Sequence, residues 1–200
     1  MNSCHLQFKV YASGVIANDK KVELHKTFRA LGMSSIYDIN LTGLDKGKMA
    51  ANLGDAHEHI VAGILIRLGF DVGIVDVSGT KYDMLVIAFE KPPPDGKKVI
   101  LRAQVRTASR SVSFIGGGRG GIDREYKSGV KTRKFTTKDS DLILAIDRSC
   151  FDVYVIPTEF IARWGNSKAI SKMQPLKNNW DILLNWNHNF LKSLESKLPS

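Results

Sequence analysis

Apolar and polar positions change period twice along this chain. Between Gly54 and Gly69 the apolar residues Ile60, Val61, Ile64, Leu65 and Leu68 recur at steps of three and four. That spacing predicts a helix with one buried face, closed by a left-handed residue at Gly69. Three β-rich runs follow, Val72 to Val77, Tyr82 to Phe89 and Lys98 to Thr107, and the turn-forming Pro92-Pro93-Pro94-Asp95-Gly96 separates the last two. A shorter run, Ser111 to Ile115, leads into a glycine-rich basic stretch, after which Asp141 to Asp147 and Phe151 to Pro157 read as a buried strand pair. The helical period then returns. Ile182, Leu183, Trp186, Phe190, Leu191 and Leu194 predict an amphipathic helix over residues 178–197 that packs on the domain or on a partner. Residues 1–45 show only short apolar stretches broken by Gly14, Gly32 and Gly43, with no sustained period, and no internal repeat is visible. The expected organisation is an N-terminal extension over 1–45, one α/β domain over 46–164 and a C-terminal helical segment over 165–200.

Composition narrows the class of partner. A chain of 200 residues with 43% apolar content can build one compact core. The formal charge is +9 and the pI about 9.6, which favours an anionic partner, nucleic acid before a membrane surface. No apolar run reaches the roughly 20 residues a membrane-spanning helix needs, and residues 1–9 lack a signal-peptide pattern, so a soluble cytoplasmic protein is expected. Two cysteines, Cys4 and Cys150, make neither a metal cluster nor a disulfide framework.

Strand alternation gives the first chemical signal. In the third β-rich run Val99, Leu101, Ala103 and Val105 share one face, while Arg102, Gln104 and Arg106 share the other. Alone, that is an ordinary strand with one wet face. Asp83 opens the apolar run Met84 to Phe89, a costly place for a carboxylate without a cation or hydrogen bonds to compensate it. Glu58 lies at the edge of the helix's apolar stripe, on the side of Ala62 and Leu65. Phosphodiester hydrolysis with a divalent ion needs two or more oxygen ligands on fixed elements and a cation near the scissile phosphate. Glu58, Asp83, Gln104 and Arg106 supply that set.

The order of these segments, GDAHEHIVAGILIRLGFDV, GTKYDMLVIAF, ILRAQVRTA, DLILAID and FDVYVIP, resembles the PD-(D/E)XK nuclease superfamily over about residues 50–160. It is most similar to the Gln-x-Lys branch that includes intron-type homing endonucleases, and more distantly to archaeal Holliday junction resolvases. The resemblance implies a restriction-endonuclease-like α/β core with a central mixed β-sheet flanked by helices. It also implies a magnesium or manganese ion held by Glu58, Asp83 and the side-chain carbonyl of Gln104. Two departures stand out. Gln104 puts a neutral oxygen where many members have a carboxylate. Arg106 stands in the lysine position, and a guanidinium cannot lose a proton near neutral pH, though it can stabilise charge on a phosphate. Lys81 and Arg102 are candidates for the missing cation.

Residues 102–138 carry ten Lys or Arg against two acids, Asp123 and Glu125, a net +8 of the chain's +9. Such a concentration beside the candidate site suits a surface that tracks a phosphate backbone, with Arg102, Arg110, Arg119, Arg124, Lys127, Lys131, Arg133 and Lys134 as DNA-binding residues. Gly116 to Gly121 formally matches G-x-G-x-x-G, but no βαβ unit follows and no Gly-Lys-Ser/Thr ends it, so a loop that approaches DNA closely is the better reading. His57 and His59 point about 200° apart on a helix and cannot chelate one zinc. The expected function is a metal-dependent DNA endonuclease, site-specific or structure-specific, acting on double-stranded or branched DNA as a homodimer or higher oligomer. The alternative is a non-catalytic DNA-binding protein with a degenerate nuclease site.

Overall fold

The first described helix starts earlier than its apolar stripe. A computed structural model describes residues 42–77, 80–117 and 132–199. Helix α1, Lys46–Arg67, begins at Asp45, whose Oδ1 accepts from the backbone N–H groups of Gly47 and Lys48, both at 2.9 Å. This cap satisfies two of the donors a helix start leaves without partners, and the helix runs for about three largely exposed turns before the buried stripe. His57, Val61, Ala62 and Leu65 form the buried face, and Gly69 takes φ +90° just beyond the end, as its position suggests. Of the expected N-terminal extension only residues 42–45 lie among those described.

Five strands make the central sheet in the order β1-β2-β3-β7-β8, with β1 Val72–Ile74, β2 Met84–Phe89, β3 Lys98–Ala108, β7 Leu142–Asp147 and β8 Val153–Pro157. The β3–β7 pairing is parallel and the others antiparallel, so the sheet is mixed, and with the flanking helices this is the α/β architecture expected. Strands β7 and β8 are buried at every position, which is why their sequences are continuous apolar runs rather than alternating ones. Helix α1 packs across β1, β3 and β7.

Beside the central sheet the described residues form two small ribbons. Strand β4, Ser111–Ser113, pairs with β9, Ser167–Ala169, and β5, Ile115–Gly117, pairs with β6, Thr132–Lys134. The end of the chain differs from the single helix expected over 178–197. Two short helices, α2 Asp181–Leu184 and α3 His188–Glu195, are separated at Asn185 and Asn187. The reason is local: Asn187 turns its side chain back to accept from Phe190 N at 3.0 Å, so it caps α3 instead of continuing α2. The break lets Trp186 N donate to Phe89 O at 2.7 Å and Asn187 Nδ2 to Glu90 O at 3.0 Å, which fastens the segment to the end of β2. Ile182, Leu183, Leu191 and Leu194 join the same hydrophobic core as the sheet. No helix among the described residues is long and apolar enough to cross a membrane.

Candidate active site

Strand β3 is longer than its neighbours, and its middle is where both of them begin. Met84 of β2 stands opposite Ala103 and Leu142 of β7 opposite the same residue, so the residue just before β2, Asp83, lies beside Gln104. Its backbone belongs to the sheet: Asp83 N donates to Ala103 O at 2.9 Å and Asp83 O accepts from Val75 N at 2.9 Å. Its carboxylate turns onto β3. Oδ2 accepts from Val105 N at 2.7 Å and from the side-chain amide of Gln104. Burial pushes the Asp83 carboxyl up, and the bond from Val105, the charge of Arg106 and the bond from Gln104 only partly offset it.

Helix α1 brings the second carboxylate. Glu58 is half-buried at the edge of the helix's apolar face, and its carboxyl is pushed up to about 7, first by burial and then by the negative charge of Asp83. Asp55 and Asp76 act in the same direction and His59 opposes them. The orientation of α1 is set beside it: His57 is buried, and its Nδ1 lies 2.7 Å from Thr107 Oγ1 on β3. His59, by contrast, faces solvent and contacts its own helix at Asp55 O, in keeping with the divergence expected of the two histidines.

Four residues from three segments are therefore gathered here: Glu58, Asp83, Gln104 and Arg106. Among the described residues no group of three or more His, Cys, Asp or Glu could hold a metal ion. Any cation here would rest on two carboxylates and a neutral oxygen. Gln104 presently meets Asp83 as a donor, so ligation through its carbonyl would require the amide to turn over, a rotation that exchanges nitrogen and oxygen without altering shape. Arg106 holds its guanidinium carbon 4.4 Å from the centroid of the Phe135 ring, a cation–π contact.

The other candidate cations divide differently. Arg102 is committed to Asp141: Nε donates to Oδ2 at 3.0 Å and Nη2 to Oδ1 at 2.8 Å, while Nη1 reaches Lys138 O and Nη2 reaches Thr137 O. Lys81 and Arg133 share Asp139 Oδ1, at 3.2 and 2.9 Å. Neither Lys81 nor Arg102 is thus a spare cation for the site; acids two residues apart hold both. Lys134 donates to Trp164 O, and Arg110 is exposed at the start of β4. Arg119, Arg124, Lys127 and Lys131 lie outside the described residues.

Sequence reasoning excluded His57 only as a zinc ligand and gave no role to Thr107 or Phe135. His57 was within reach, since it precedes Val61 by one helical turn and Leu65 by two, on the buried stripe. Phe135 was not, because nothing along the chain ties it to a residue twenty-nine positions earlier on another sheet.

No protein-family model matches this chain, and no curated protein matches it. Among solved structures it is similar to a bacterial homing endonuclease, I-Ssp6803I, with a TM-score of 0.49 and 14% identity over 66% of this chain and 91% of that chain.

Proposed function

We propose that this chain is a DNA endonuclease of the PD-(D/E)XK type, which hydrolyses phosphodiester bonds with Mg2+ or Mn2+ held by Glu58, Asp83 and the carbonyl oxygen of Gln104. One observation carries the reading: two carboxyl groups from different elements, Glu58 and Asp83, are raised by burial, and Asp83's charge raises Glu58 further. The donor set suits a hard oxygen-seeking cation, which would reverse both penalties at once. When bound, such an ion supplies positive charge against the scissile phosphate and acidifies water there. Glu58 and Asp83 hold it from a helix and a sheet that the His57–Thr107 contact keeps in register. Without the ion the Gln104 amide donates to Asp83, and ligation through its carbonyl would replace that bond. Arg106, two residues along the same strand, faces charge that develops on the phosphate, and a guanidinium does not take a proton from water. The net +8 of residues 102–138 supplies the grip on the backbone.

A second reading is DNA binding without cleavage, and the donor role of the Gln104 amide towards Asp83 favours it. Incubation with supercoiled plasmid and with branched DNA in magnesium, manganese or EDTA separates the two. Cleavage that EDTA abolishes supports the endonuclease. Salt-sensitive binding with no cleavage of any substrate in either metal overturns it in favour of the second reading.

A further inference from the structure

Arg106 is built into an arrangement that its own strand does not explain. The guanidinium sits over the Phe135 ring at 4.4 Å, and Phe135 is 6% exposed. Phe135 follows β6 directly and is anchored by its own N–H, which donates to Phe114 O at 2.9 Å. The tip of the ring lies against Gly116 on β5: a Cβ placed there would come within 2.7 Å of Phe135 Cζ and 3.2 Å of Cε1. Gly116 does not have a left-handed backbone, so glycine is not required there for conformation. What it provides is space for the ring.

We infer that Phe135 is a positioning residue for Arg106, that Gly116 makes room for it, and that this stack suits the site to a guanidinium over an ammonium. A long cationic side chain near the Asp83 carboxylate has many rotamers available, and a planar guanidinium on an aromatic face is restricted to few of them. A lysine ammonium is a compact, strongly hydrated point charge and gains less from the same face. The ring thereby holds the cation beside Gln104 and Asp83, where a scissile phosphate would sit. This inference rests on the endonuclease reading above.

A double-mutant cycle on single-turnover cleavage tests it. Arg106→Ala should lose roughly 10² to 10³ in rate, the scale of one electrostatic donor. Phe135→Leu keeps the apolar volume and should lose roughly 10-fold in rate with DNA affinity unchanged, and Gly116→Ala should show a loss of the same kind because its Cβ displaces the ring. In the Arg106→Ala background Phe135→Leu should cost almost nothing further. In parallel, the Nε–H resonance of Arg106 should lie upfield under the ring current in the wild type and move back in Phe135→Leu, with the other amide resonances in place. If Phe135→Leu costs the same in both backgrounds, or the Arg106 resonance does not move, the positioning role is overturned while the endonuclease reading stands. A wild type that cuts no DNA overturns both.

Discussion

Strand β3 is flanked by two aspartates in equivalent places, and they have opposite characters. Asp83 precedes β2 and Asp141 precedes β7, each next to the middle of β3. Both give their backbone N–H to β3, Asp83 to Ala103 O and Asp141 to Arg102 O, and both accept a β3 amide at Oδ2, from Val105 and Arg102 respectively. The difference is the β3 side chain that each meets. Asp141 meets Arg102, whose fork binds both carboxylate oxygens, so that although burial works the other way the carboxyl is held below its ordinary range. Asp83 meets Gln104, a neutral amide with one bond to offer, and burial prevails. The same sheet position yields a structural ion pair on one side and a carboxylate held by neutral donors on the other. Nearby Asp139 repeats the first outcome, since Arg133, Thr136 and Lys81 hold its carboxyl low against burial.

The contrast is broken most severely at Asp83. Asp83→Ala should fall below about a thousandth of the wild-type single-turnover rate, beyond what losing one electrostatic donor produces, with DNA affinity retained. Cleavage at the wild-type rate would place the chemistry elsewhere. On the other side of β3, Arg102→Gln makes Asp141 resemble Asp83. It should lower stability by about 1 to 2 kcal/mol in urea unfolding, since the pair is partly exposed, and leave the rate per folded molecule unchanged. The Asp141 carboxyl is depressed when folded, so its contribution is present above the ordinary value of 3.8 and is lost as pH falls below it. The wild type should therefore lose its advantage over Arg102→Gln in acid.

The comparison is sharpened again through pH. Glu58 titrates near 7 when folded against 4.5 ordinarily, so between those values the folded state holds a proton that the unfolded chain has released. Stability of the metal-free protein should then decline as pH rises from about 4.5 to 7 and level off above. Melting temperatures measured in EDTA across that range should show the decline, Glu58→Gln should flatten it, and magnesium should raise the melting temperature most above pH 7. A magnesium effect that is equal at pH 5 and pH 8 would separate Glu58 from the metal.

Residue order alone was enough for the helix with Glu58 on its stripe, for the alternation that puts Gln104 and Arg106 on one face of β3, and for the buried pair β7 and β8. These rest on periods of 3.6 and 2, which backbone geometry imposes on any chain and which can be read without partners. The Asn185–Asn187 break was missed because apolar spacing is blind to a side chain that caps rather than continues a helix. Which cations were spent was also invisible. Arg102 and Arg106 are alike in sequence, two steps to either side of Gln104 on one strand. Only the arrival of β7 with Asp141 beside the first, and of Phe135 against the second, gave one a bidentate ion pair and the other an aromatic face. Periodicity is local and survives in a string of letters. The pairing of charges across 39 residues, or of a ring and a guanidinium across two sheets, depends on distances that exist only once the chain has closed.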